Sequence, residues 1–191
     1  MANRPTIGQY TGDEPISLPE AKAYLRIDFD TDDDYITELI KIARLQILKD
    51  TNQTLVETDI TEWRDSWPKD NYFQLSYPSK VTDLAILYRK TLTLDVVLTH
   101  NVDYTYPITL NQSDGRITIL KTYDLYTNIN GIKITYKSDI VNVDTARQLK
   151  IAMYMLIQHY YDNRSPVSYL RVDEMPLAYK HLINQYKNYI W

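Results

Sequence analysis

The sequence predicts an α+β fold: a split α-helical bundle, with two N-terminal and two C-terminal helices, and a compact antiparallel β domain inserted between them. Three observations predict it. Apolar residues recur at helical spacing near both ends of the chain. The stretch between is cut into short runs rich in Val, Ile, Thr, Tyr and Leu, separated by Pro, Asp, Asn and Gly. Neither helical part alone is large enough to bury a core. The expected organisation is an N-terminal arm over 1–15, a helical bundle from 16–56 plus 139–191, and a β domain over 57–138.

Residues 1–15 carry Pro5, Gly8, Gly12 and Pro15 and read as irregular. Helix one is expected over 18–27, because Ser17 and Glu20 form an S-x-x-E capping box with Pro19 in the first turn. Ala21, Leu25 and Tyr24 face inward in this reading. Thr31 and Asp34 repeat the same logic for helix two, over 32–51, and Asp32 and Asp33 place negative charge where the helix dipole favours it. In helix two Ile36, Leu39, Ile40, Ala43 and Ile47 recur at helical spacing, and Tyr35, Ile42, Leu45 and Leu48 widen the apolar face. So wide a face predicts packing on two sides.

From residue 57 the period changes. Runs at 58–67, 72–77, 81–90, 94–99, 103–110, 116–121 and 132–137 read as short strands, with turns such as Ser113-Asp-Gly-Arg116 and Asn128-Ile-Asn-Gly131. Helix three is expected over 144–162, with Leu149, Ala152, Met153, Leu156 and Tyr160 on one face and Ile151, Met155 and Ile157 elsewhere. The last helix, over 174–190, starts with Pro176 and carries Leu177, Leu182, Ile183, Tyr186 and Tyr189 or Ile190.

Composition narrows the function classes. Among 191 residues there are four Gly, which argues against phosphate-cradling loops and a nucleotide-binding α/β fold. Eighteen Tyr against two Phe suggest half-wet aromatic surface of the kind found at interfaces. The absence of Cys removes disulfides, thiolate metal sites and a Cys nucleophile, and fits a reducing cytoplasm. No apolar run is long enough to span a membrane, and the N-terminus has no secretion signal. Net charge is −4, and residues 1–56 hold ten acidic against six basic side chains. That is the wrong sign for gripping DNA phosphates, and suits a surface that must not hold DNA tightly.

Candidate chemical sites are mostly bland. Asp28-Phe-Asp-Thr-Asp-Asp-Asp34 has D-x-D-x-D spacing, but an EF-hand loop begun at Asp28 needs Gly and Glu where Asp33 and Leu39 stand. No metal or cofactor is expected. His100, His159 and His181 lie in different elements without metal spacing, and no nucleophile–base pair is evident, so no catalytic residue is assigned. Trp63 and Trp67 are the alternative: a stacking platform for a carbohydrate or nucleic acid, weighed against simple strand anchors. Tyr160-Tyr-Asp-Asn-Arg164 closes an apolar helix, and Arg164 suits a clamp within one chain or between two.

Two segments resemble the head–tail connector (head-completion or adaptor) proteins of tailed double-stranded DNA phages. Ile16-Ser-Leu-Pro-Glu-Ala-Lys-Ala-Tyr-Leu-Arg-Ile27, an acidic turn, and Asp34-Tyr-Ile-Thr-Glu-Leu-Ile-Lys-Ile-Ala-Arg44 look like that family's opening helices. Leu149 to Arg164 looks like its core helix with a Tyr-x-x-Arg ending, and the central strands are similar to the longer subfamily with an inserted sheet. The resemblance implies a non-enzymatic virion protein at the head–tail interface, assembled in the host cytoplasm. It implies a ring of about a dozen copies under the portal, a next head-completion or tail-terminator protein as neighbour, and DNA passing through unbound. On this reading Ile36, Leu39, Ile40, Ala43, Ile47, Tyr160, Tyr161 and Arg164 are expected at the subunit interface. Tyr186, Tyr189, Ile190 and Trp191 are expected at the portal, and Asp28, Asp30, Asp32 and Asp33 on the channel.

Overall fold

The computed structural model describes residues 5–10, 13–106, 115–127, 129–140, 143–163 and 177–187. It shows four helices and two antiparallel sheets, an α+β fold, divided into two compact units. One holds the helices from both ends of the sequence and the other holds the strands.

In the helical unit, α1 (Leu18–Leu25) starts at the capping box: Ser17 N–H donates to Glu20 Oε2 at 2.8 Å, and Glu20 N–H returns to Ser17 Oγ at 3.4 Å. It ends at Arg26 in the left-handed region, whose N–H closes on Ala23. After the acidic elbow comes α2 (Asp33–Thr51), and here the expected Thr31 cap is replaced. Asp32 is the N-cap residue, and it makes no side-chain cap bond. Its carboxylate instead accepts the Tyr161 hydroxyl at 2.6 Å, a long-range partner that outcompetes the local one. Asn52 ends α2 in the left-handed conformation, its N–H donating to the Leu48 carbonyl at 2.9 Å.

The helix α3 (Val143–Asp162) packs on both α1 and α2, and α4 (Leu177–Asn184) packs on α2 and α3. Ile36, Leu39, Ile40, Ala43 and Ile47 of α2 and Leu149, Ala152, Met153, Leu156 and Ile157 of α3 are all buried. Arg44 is buried as well, and pairs with Glu14 at 2.8 Å. The expected start of the last helix at Pro176 lies outside the described residues.

In the strand unit, residues 6–10 correct the expectation of an irregular arm. They form β1 (Thr6–Tyr10), antiparallel to β2 (Thr58–Arg64). Gly8 permits it: a Cβ there would sit 3.0 Å from the Asp59 carbonyl oxygen. The remaining strands are β3 (Tyr72–Gln74), β4 (Lys80–Thr91), β5 (Leu94–Val97), β6 (Tyr104–Thr105), β7 (Arg116–Ile119) and β8 (Ile132–Asp139). The larger sheet runs β1-β2-β8-β4-β5 and the smaller β3-β7-β6, every pairing antiparallel. β8 alternates as a half-buried strand should, with Ile132, Ile134, Tyr136 and Ser138 inward. Opposite it, β2 turns Thr58, Ile60 and Glu62 inward.

Candidate assembly surface

The core of the helical unit decides which side chains remain for assembly. Ile36, Leu39, Ile40, Ala43 and Ile47, expected at a subunit interface, are used inside the chain, where they are 0–4% exposed. That is a correction: burying an aliphatic face against α3 stabilises the single chain, and the face is no longer offered to a second copy. What α2 leaves in solvent is the remainder of its wide apolar face, Tyr35, Ile42 and Leu45. The three lie at i, i+7 and i+10, turned away from the core side. α3 leaves Ile151 exposed in the same way, on the side of the helix opposite its buried residues.

Tyr160 and Tyr161 stay within the chain in part. Tyr161 donates to Asp32, Tyr35 donates to the Tyr160 carbonyl at 3.3 Å, and the Tyr35 and Tyr161 rings lie 6.2 Å apart. These contacts tie the end of α3 to the start of α2. Arg164, Tyr189, Ile190 and Trp191 lie outside the described residues. Tyr186 is half-buried, and its carbonyl accepts from Gln53 Nε2 at 2.5 Å.

Lys22 ties two aspartates of the acidic elbow together. Lys22 Nζ reaches Asp30 at 2.6 Å and Asp33 at 2.7 Å. The bonds from Asp30 and Asp33 raise the Lys22 pKa, and Lys22 in turn lowers that of Asp30. Asp28 is exposed beside Phe29, a large aromatic ring 48% open to solvent. No group of three or more metal-ligating side chains occurs among the described residues.

The sequence reading missed two contacts that fasten α1 to α3. Lys150 Nζ bonds Glu20 Oε1 at 2.8 Å, and the Tyr24 and Tyr154 rings stack at 4.7 Å. The Lys150 bond first, and then the Ser17 backbone and hydroxyl donors, hold the Glu20 carboxyl at a pKa of about 2. One glutamate thus caps its helix with one oxygen and reaches a second helix with the other. A further feature without sequence signal is a cleft of about 320 Å³ between the C-terminal half of α2 and α4, lined by Gln46, Asp50, Tyr179, Lys180, Ile183, Asn184 and Lys187. Its floor is set by Asp50, which accepts from both Tyr179 (2.7 Å) and Gln46 (2.9 Å).

The strand unit contains a buried polar knot. Glu62, fully buried, accepts from Arg64 at 2.7 Å, from Ser76 N–H at 2.8 Å and from the Tyr136 hydroxyl at 2.6 Å. Burial first, and the Glu62 charge second, push the Tyr136 phenol far above its ordinary value. Trp67 donates its indole N–H to the Tyr123 carbonyl at 2.7 Å and packs near Phe73 and Tyr88, while Lys133 lies over the Trp63 ring. The histidines stay apart: His100 packs on Tyr104 and Tyr106, His159 sits beside Tyr160, and His181 is on α4.

Among solved structures the chain is similar in fold to three from gene transfer agent (GTA) particles. It aligns with a chain of the native GTA virion at TM-score 0.72 and 15% identity, covering 97% of this chain and 96% of that one. It aligns with the neck of the native particle computed with C12 symmetry at 0.67 and 16%, covering 97% of each chain. The neck of the empty particle computed with C6 symmetry gives 0.68 and 15%, covering 100% of this chain and 97% of that one. No curated protein matches. The family model for head completion protein matches residues 14–172, a span that runs from the start of the helical unit through the whole of β2–β8 and α3, and the chain belongs to the head completion protein family.

Proposed function

We propose that the chain is a structural head–tail connector of a virion. Its copies form a ring beneath the portal, extend the DNA channel and present a surface to the next head-completion or tail component. The family match over 14–172 carries this reading. The two structurally similar necks computed with C12 and C6 symmetry support repeated copies around an axis. Apolar side chains left outside the core on α2 and α3 supply assembly surface. The acidic N-terminal third, with ten acidic against six basic side chains over residues 1–56, suits a wall past which DNA slides without being held. On this reading the protein does no catalysis, and the DNA, the portal and the neighbouring copies are its partners.

The alternative of a carbohydrate- or nucleic-acid-binding β module is not favoured, because the Trp67 ring and its N–H are both engaged inside the strand unit. Native mass spectrometry of the purified chain, alone and with purified portal, tests the connector reading. Cyclic multimers or portal-bound rings are expected. A chain that stays monomeric and never binds portal would overturn it.

A further inference from the structure

The two ends of α2 carry surfaces of opposite character. At its start stands the elbow, where Asp28, Phe29 and Asp30 are all exposed and Lys22 bonds Asp30 and Asp33. Asp28 has no hydrogen-bond or ion-pair partner among the described residues. At its other end is the cleft of about 320 Å³ between α2 and α4, large enough for an aromatic side chain. Lys180 and Lys187 line it beside Tyr179 and Ile183, and neither lysine has a partner among the described residues.

We propose that the acidic elbow of one copy, led by Phe29, docks in the Lys180–Lys187 cleft of the next copy. The inference rests on the ring reading above and names its contact. The occupant follows from charge and shape. An exposed aromatic ring flanked by two carboxylates meets an open pocket in which Tyr179 and Ile183 lie beside two ammonium groups that outnumber its single carboxylate, Asp50, and have no partner among the described residues. The elbow cannot fill its own cleft, because the cleft residues Gln46 and Asp50 stand roughly 20–26 Å along α2 from its start. The contact is therefore heterologous, head to tail, the kind that closes into a ring when the rotation between copies permits.

The chain has no cysteine, so a disulfide can be placed without background. The double variant F29C/K180C, oxidised at increasing protein concentration, is expected to give a covalent ladder extending past the dimer on non-reducing gels. F29C and K180C alone are expected to stop at dimer or below. The charge-reversed variant K180E/K187E is expected to weaken self-association at least tenfold, and adding D28K to it is expected to recover part of that loss. If F29C/K180C fails to fold by circular dichroism, F29C/K187C replaces it. Multimers by native mass spectrometry without a ladder would overturn the docking and leave the connector reading standing. A ladder that ends at dimer overturns the head-to-tail contact. Absence of both ladder and multimer, with portal present, removes both.

Discussion

Tyr161 at the end of α3 donates its hydroxyl hydrogen to Asp32 at the start of α2, at 2.6 Å and across 129 residues of sequence. A hydrogen bond to a charged acceptor in a part-buried place is among the stronger single contacts available to a small protein. It also explains why Asp32 does not cap its own helix.

Removing that hydroxyl is expected to loosen the junction while keeping the ring in place. Tyr161→Phe is expected to lower unfolding stability by about 1–2 kcal/mol in urea titrations. A change indistinguishable from zero would mean that Asp32 regains an equivalent partner at once, such as a backbone N–H in the first turn of α2.

The pair of Glu20 and Lys150 makes a pH prediction. The Glu20 carboxyl titrates at about 2 in the folded chain, below its ordinary value of 4.5. A lowered folded pKa stabilises above the unfolded value and is lost as pH falls toward the folded one. The stability difference between wild type and Glu20→Gln is therefore expected to be full at pH 6–7 and to fade between about pH 4.5 and pH 2. Because the pair is half-exposed, solvent screening keeps the difference near or below about 1 kcal/mol, and added salt reduces it. Denaturant curves at pH 7, 4 and 2.5 check the trend, and a gap that grows toward acid would contradict it.

In the strand unit, Tyr136→Phe leaves Glu62 short of one donor and the Tyr77 N–H without the acceptor it finds at 3.2 Å. Because both groups are buried, a loss of about 2–4 kcal/mol is expected, read as a drop in thermal midpoint. Spectrophotometric titration adds a second check. Wild-type Tyr136 is expected to stay un-ionised through alkaline pH until the strand unit unfolds.

Helix α2 separates core from surface residue by residue. Ile36→Ala is expected to cost about 2–4 kcal/mol through lost burial and a cavity, whereas Ile42→Ala is expected to stay within about 0.5 kcal/mol in the isolated chain. Equal effects in chemical denaturation would mean that Ile42 is not the open residue its 47% exposure indicates.

Local chemistry was legible in the sequence where the partners are neighbours. The box of Ser17 and Glu20 reads directly because three residues separate donor from acceptor, and the structure closes it from both sides. The apolar spacing of α2 located the inward face, but spacing alone does not say whether the rest of a wide face meets a core or solvent. Ile36 and Ile42 differ only in which side α3 covers. Thr31 yields the cap position to Asp32, whose carboxylate answers to Tyr161, far along the chain. The strand at Thr6–Tyr10 was missed for the same reason: its partner, β2, begins about fifty residues later, and Gly8 reads as a breaker until Asp59 lies against it. The cleft between α2 and α4 has no sequence signature, since it exists only once the two ends of the chain meet.

The burial of Ile36, Ile40 and Ile47 beneath α3 sets an order on synthesis. A ribosome that has made α2 must add roughly a hundred residues before Leu149 emerges to cover it, on the order of 5–20 s at ordinary elongation rates. The strand unit closes only near the end of that interval, when its central strand β8 (Ile132–Asp139) is made, and α1 and α2 wait throughout with an oily face uncovered. A chain stopped before residue 149 is thus expected to collect chaperones or aggregate, and premature termination late in this gene is more harmful than its small missing fraction suggests.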